Sequence, residues 1–420
     1  MGFVKALRCP KCGWQSPSKT TFQCSSCEVV LEAIVEIDHL SRSDLLVIRK
    51  RTDQTIWRWF EFFPVQDRSA VISLGEGYTP LVKPRRLSHE LDIRRLYLKN
   101  DTVLPTGSLK DRSNSVGLSK ARELGFKMAA VVSTGNAGAS VAAYSAAAGL
   151  KSIVIVPKET DASKVVQARA YGATVVLVDG DFDNDVAKLY KAAVQEFGWY
   201  DCLSTNPYRD EGKKSYAYEL FDQLDEHVPN WVILPTAGGT GLYAMWKGYN
   251  ELLKLGWAHR LPKLVAAQSE AAAPIVAAFE KGYSDIEPVI PRDTVAESIQ
   301  VGNPKALGWR ALEAIRGSKG TAVALSDKEI LEAQSLLARL AGIFAEPAGA
   351  ISMAAARRLR EQGIIGRDDL VVCNITGHGL KQPSAIRASA EEPCPIPPDL
   401  DALRERLEAA ERPRAALATR

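Results

Sequence analysis

The 420-residue sequence contains no uninterrupted apolar run near the roughly 20 residues that span a bilayer. Its first residues, MGFVKALRCPKCG, lack the apolar core of a secretory leader, and Ala6 stands where a myristoylation pattern requires Ser or Thr. Charge of one sign is also scarce. Against 53 Lys and Arg stand 50 Asp and Glu, and the net +3 gives no reason to expect nucleic acid or a membrane surface as partner. Cysteine is too sparse and, at seven, odd in number for a disulfide framework. These absences lead us to expect a soluble, cytoplasmic protein with a small-molecule partner. The remainder is ordinary: 46% apolar and 25% charged residues suit a globular chain of two or three domains.

Four of the cysteines, Cys9, Cys12, Cys24 and Cys27, form two CxxC pairs separated by a hairpin-length insert. That spacing brings four thiolates to one tetrahedral point, as a structural zinc ribbon over residues 1–38 requires. An iron–sulfur centre, a redox pair or unliganded thiols are the alternatives. A closed four-sulfur site has no open position, so the metal is expected to be structural.

The Trp- and Phe-rich segment IWRWFEFFPV (56–65) reads as irregular packing surface or an interface. From residue 72 the pattern is α/β. KMAAVVS (127–133) reads as a buried strand, SIVIVP (152–157), TVVLVDG (174–180), WVILP (231–235) and LVAAQS (264–269) read as strands, and a last apolar run, LVVCNITGHG (370–379), ends in a glycine turn. Helical segments between them (136–150, 163–172, 242–256) imply parallel pairing with crossovers. SDKEILEAQSLLARLAG (326–342) reads as a Ser-capped packed helix, and the tail 391–420 as a surface helix or frayed end.

Three junctions fall at carboxyl ends of strands, where open α/β sheets bind ligands. In VVSTGNAGAS (131–140) small residues precede a helix whose free N–H groups favour an anion. Asn136 there either meets a phenolic or carboxylate oxygen or caps the helix. ILPTAGGTGLYA (233–244) contains G-x-G-x-x-A but lacks the acidic residue about twenty positions on, which leaves a phosphate cradle at 238–241. CNITGHGL (373–380) places Thr376 and His378 at a strand end, where either also suits a plain turn. Lys110, in PTGSLKDR (105–112), is by itself an ordinary surface charge. Facing a phosphate cradle, an Asn loop and a strand-end hydroxyl, it completes a set that fits pyridoxal phosphate: Schiff base, phosphate, ring oxygen and ring nitrogen.

These residues resemble the fold-type II pyridoxal-phosphate enzymes and, within them, the threonine synthase family. The blocks that carry the resemblance are LGEGYTPL (74–81), PTGSLKDR (105–112), STGNAGAS (133–140), NPYRDEGKKS (206–215), VGNP (301–304), GIFAEPAGA (342–350) and TGHGLKQP (376–383), after the zinc ribbon. The resemblance implies a tryptophan synthase β-like fold of two doubly wound α/β domains. Residues 72–110 with 206–390 would form the larger cofactor-binding domain and 111–205 the smaller one with the Asn loop. It implies that Lys110 forms the Schiff base, Asn136 meets the cofactor's 3′ oxygen, the turn of Ala237, Gly238, Gly239, Thr240 and Gly241 holds its phosphate, and Thr376 bonds the pyridine nitrogen. Ser133, Thr134 and Gly135 would wrap the substrate carboxylate. Asp111 and Arg112 would flank the amine, with Arg112 and Lys214 as supports of a phosphate or of the fold. The implied reaction is conversion of O-phospho-L-homoserine and water to L-threonine and phosphate, a step of threonine biosynthesis, by a homodimer. A related lyase is the alternative: a cysteate synthase using O-phosphoserine and sulfite, or a threonine or serine dehydratase. The sequence departs from the family pattern at AGGTG (237–241), at SNS (113–115) after KDR, at ESIQVGNP (297–304) and at CSSCEVVLE (24–32), whose second CxxC lacks the usual following Gly.

Overall fold

A computed structural model describes residues 4–181, 185–387 and 394–411. The N-terminal segment folds as three short antiparallel strands, β1 (Val4–Arg8), β2 (Gln15–Ser16) and β3 (Glu32–Val35), in the order β2-β1-β3. The rest is built on two sheets. β4 (Leu81–Val82) and β5 (Arg95–Asn100) join the larger one, whereas β6 (Met128–Val132), β7 (Lys151–Pro157), β8 (Thr174–Val178) and β9 (Tyr200–Asp201) make a smaller parallel sheet of order β8-β7-β6-β9. β10 (Trp231–Pro235), β11 (Lys263–Ser269), β12 (Thr321–Leu325) and β13 (Leu370–Ile375) complete the six-stranded order β12-β11-β10-β13-β5-β4. All pairs in the larger sheet are parallel except β4 with β5.

The central strands are continuous apolar runs because both faces are covered. Every residue of β13 is buried, and its neighbours alternate between two separate apolar clusters, Val372 in one and Val371 and Cys373 in the other. The helix Asp327–Leu336 begins as expected at Ser326, whose hydroxyl and Glu329 form a reciprocal capping box. The tail contains the helix Leu400–Glu411, largely exposed over residues 400–408, and residues 391–393 and 412–420 of the expected tail lie outside the described residues.

Segment 56–65 is interior packing and not an interface. It turns as a 3-10 helix over Ile56–Phe62, with Trp59 and Phe62 fully buried against Tyr218. β5 carries no apolar-run signature, since RLYLKN alternates with charges; Lys99 within it is wholly buried and paired with Glu219 at 2.6 Å.

Candidate active site

The loops after β6, β10 and β13 carry the three glycine-containing junctions, and the segment before Lys110 is bound directly to the third. Leu109 N–H donates to the Thr376 carbonyl at 2.9 Å, His378 N–H donates to the Gly107 carbonyl at 2.9 Å, and Ser108 bridges to Gly377. Backbone hydrogen bonds therefore hold Lys110, the first residue of the helix Lys110–Glu123, beside the end of β13. Burial and the neighbouring Lys213 and Arg209 cations lower the Lys110 amine to about 8, while Glu346 opposes them.

Asp111 staples this helix to two further parts of the site. It accepts from the Thr106 N–H at 2.7 Å, the Thr106 hydroxyl at 2.6 Å and the Ser140 hydroxyl at 2.6 Å, and burial raises its pKa. Ser140 lies in the helix Asn136–Ala148, so the Asn loop is drawn to the lysine.

Asn136 does not cap that helix. It is the first helical residue after Gly135, and its Nδ2 donates to both carboxylate oxygens of Glu346, at 3.1 and 3.0 Å. Ser133, Thr134 and Gly135 form the half-buried loop leading to it, where a Cβ on Gly138 would lie 2.8 Å from the Ser133 carbonyl. The close turn therefore requires glycine at 138.

In the 237–241 turn, Gly239 has φ +89 and a Cβ there would stand 2.5 Å from that of Ala311, so both conformation and space demand glycine. The helix Thr240–Lys254 follows, with its N-terminal N–H groups available to an anion. The Thr240 hydroxyl accepts from Lys213 Nζ at 2.8 Å. A primary amine made basic near neutrality, a glycine turn at a helix start and two buried cations form a donor set that fits pyridoxal phosphate.

For two supporting residues the structure selects one of the two expected roles, support of the fold. Arg112 and Lys214 are fully buried and serve the fold. Arg112 pairs with Asp101 at 2.9 Å and donates to Glu219 at 3.0 Å, and Lys214 pairs with Glu211 at 2.7 Å and Glu251 at 2.8 Å. The cations that face Lys110 are Arg209 and Lys213, which sequence reasoning passed over although both lie in the quoted block 206–215. His378 is a satisfied turn residue whose Nδ1 accepts from Leu380 N–H at 3.1 Å. Within SNS, Ser115 joins Trp57 to the buried Glu76, and Asn114 Oδ1 accepts from Arg209 Nε at 3.0 Å. Of these three residues, Asn114 reaches the site through Arg209.

The sulfurs of Cys9, Cys12, Cys24 and Cys27 all lie within 4.8 Å of one another. Both loops use the same backbone turn: Gly13 N–H donates to the Cys9 carbonyl, and Glu28 N–H to that of Cys24. Glu28 takes φ +54 where the first loop has Gly13 at +77, so the missing glycine is replaced by a residue in the same left-handed conformation. This unit packs on the active-site helices: Tyr208 donates to the Lys19 carbonyl at 3.0 Å, and Tyr243 to Glu32 at 3.0 Å.

Comparison with known proteins agrees with this geometry. Residues 72–377 match the family described as pyridoxal-phosphate dependent enzyme. The chain is 42% identical over 398 residues to the threonine synthase of Methanocaldococcus jannaschii, covering 94% of this chain and 98% of that one. It is 40% identical to that of Methanosarcina acetivorans, covering 95% and 98%. Among solved structures, a T.th. threonine deaminase superposes with a TM-score of 0.61 at 28% identity, covering 72% of this chain and 92% of that one. Maize serine racemase gives 0.65 at 18% identity, covering 80% and 94%, a likeness of fold.

Proposed function

The chain belongs to the pyridoxal-phosphate dependent enzymes and, within them, to the threonine synthases, and from that premise we propose that it converts O-phospho-L-homoserine and water to L-threonine and phosphate. The observation that carries the reading is near-full-length identity to two threonine synthases. The arrangement of Lys110 among Arg209, Lys213 and Glu346 is consistent with it. The dehydratase and sulfite-using alternatives rest on fold and cofactor, which several reactions share.

In this reading pyridoxal phosphate, when bound, supplies an electron sink for negative charge developing on substrate carbon. Lys110 holds the cofactor at rest. When not bonded to the cofactor, the Lys110 amine would carry protons to and from the substrate's α and β carbons, a task for which burial and the Arg209 and Lys213 charges, by lowering its pKa, suit it. The 237–241 turn and Lys213 hold the cofactor phosphate, Asn136 its 3′ oxygen and Thr376 its ring nitrogen. A hydroxyl does not protonate that nitrogen as a carboxylate would, which suits elimination and replacement at the β and γ carbons. Ser133, Thr134 and Gly135 hold the substrate carboxylate. Arg209, oriented by Asn114, faces the γ-phosphate that departs before water adds at the β carbon.

We take residues 72–110 with 206–390 as the cofactor-holding unit and 111–205 as the unit carrying the Asn loop. We assign zinc to the four-cysteine cluster, whose closed sulfur set suits a structural ion. We further propose a cytoplasmic homodimer; among the described residues no helix is long and apolar enough to cross a membrane. A substrate panel tests the reaction. Phosphate release from O-phosphohomoserine with threonine as product is expected, whereas ammonia from threonine, or sulfite consumed with O-phosphoserine, overturns it.

A further inference from the structure

Glu346 is 4% exposed, lies in the loop before the helix Pro347–Glu361, and belongs to none of the three glycine junctions. Its carboxylate nonetheless lies against two of them, the Asn loop and the turn after β13. Both oxygens accept from Asn136 Nδ2, and Oε1 also accepts from the Ser298 hydroxyl at 3.1 Å. Its own N–H donates to the Gly377 carbonyl at 2.9 Å, and a Cβ on Gly377 would stand 2.4 Å from Oε1, so the residue after Thr376 is bare where the carboxylate fits. Ser298 lies in ESIQVGNP, one of the segments that departs from the family pattern.

We propose that Glu346 is a positioning residue that fixes which end of the Asn136 amide faces the cofactor. A carboxylate only accepts hydrogen bonds, whereas an amide has two N–H donors on one side and a carbonyl acceptor on the other. Turned by half a rotation, Asn136 would set its Oδ1 against the carboxylate, acceptor against acceptor. Nδ2 lies 3.1 and 3.0 Å from the two oxygens, a spacing that one shared N–H can serve, and in that arrangement the second N–H is left for another acceptor. The cofactor's 3′ oxygen is such an acceptor, so one nitrogen bridges the two. Burial leaves the Glu346 pKa raised overall, while the hydrogen bonds from Asn136 and Ser298 and the charges of Lys110 and Lys381 act against it and favour the acceptor carboxylate. The inference rests on the reading that Asn136 meets the 3′ oxygen.

The test is a double-mutant cycle on cofactor binding to the apoprotein, read as the dissociation constant and as the visible absorbance of the bound cofactor, with thermal unfolding of each apoprotein alongside. N136A and E346A are each expected to weaken binding by about tenfold and to shift the absorbance band; E346A/N136A is expected to bind within about twofold of N136A alone. If E346A does not fold, E346M, of similar volume but with neither a carboxylate nor an amide acceptor, carries the same cycle. Binding and spectrum unchanged in the Glu346 variant, or losses that multiply in the double variant, overturn the proposal while leaving the role of Asn136 intact. An N136A protein that binds normally removes that role and the proposal with it.

Discussion

Lys213 Nζ donates to the Thr240 hydroxyl at 2.8 Å and pairs with Asp210 at 3.2 Å, so a single ammonium ties the helix Pro207–Lys213 to the glycine turn that opens the helix Thr240–Lys254. Its neighbour Lys214 points the other way, to Glu211 and Glu251. Two adjacent lysines thus divide between the site and the scaffold.

Lys213→Met should therefore weaken cofactor binding by about ten- to a hundredfold, the worth of one charge-assisted hydrogen bond to phosphate. The fold should tolerate it, because Asp210 keeps its second partner, Arg310, at 3.1 Å. Titration of the apoprotein with pyridoxal phosphate, beside a thermal melt, checks both parts. Lys214→Met should show the opposite pattern, a lowered melting temperature with cofactor affinity retained.

The Lys110 amine should titrate near 8. In the apoprotein its rate of reaction with a carbonyl reagent should rise with pH to half its maximum near 8, against 10.5 for an ordinary lysine, and Lys110→Ala should abolish both that reaction and the borohydride-sensitive visible band. The sign for stability follows from linkage. Between about 8 and 10.5 the unfolded chain keeps a proton that the folded chain has released, so this group's contribution to stability rises with pH across that window. Lys110→Met should accordingly raise the apoprotein melting temperature below pH 8.

Arg112 closes a buried group of four charges in which two cations, Lys99 and Arg112, meet two carboxylates, Asp101 and Glu219. Removing one member leaves an uncompensated buried charge, at a cost of about 3–5 kcal/mol. Arg112→Met should lower stability by that amount in chemical denaturation, and Arg112→Lys should recover only part because it cannot span both carboxylates with one planar fork.

Purified protein should contain one zinc per chain, lost on substitution of Cys9, Cys12, Cys24 or Cys27 by Ser. Elemental analysis checks the ion; a brown chromophore surviving cofactor removal would indicate iron–sulfur instead. Because Tyr208 and Tyr243 bond the ribbon, its loss should also expose the neighbouring helices Pro207–Lys213 and Thr240–Lys254 to limited proteolysis.

Where burial acts on both faces of a strand, sequence and structure agree closely: β7 and β10 lie within a residue of their apolar runs, β13 starts with its run at Leu370 and gives way at Ile375 to the glycine turn, and the Ser326–Glu329 pair announces its helix. The glycine junctions were legible because close backbone approach has a compositional mark. The burial of Lys99, and which of two roles Arg112 and Lys214 take, were not, since a charge reads as solvent-facing until its counter-charge is located, and Glu219 and Glu251 lie far along the chain. Glu346 was hidden for the same reason: the block containing it could be quoted, but its carboxylate acquires meaning only through Asn136, which arrives from the other sheet.

The pairing of Arg95 with Leu370 in β5 and β13 has a consequence for the newborn protein. A ribosome releases the chain from its N-terminus, and the four strands of the smaller sheet are all available once Asp201 has emerged. Lys110 emerges earlier still, yet the Thr376 carbonyl that anchors its loop is among the last parts to be synthesised. Arg209 and Lys213, the cations that lower the Lys110 pKa, are made before the strand whose end seats its loop, so a chain terminated before residue 370 should carry the lysine and both cations without the backbone anchor that holds them in register.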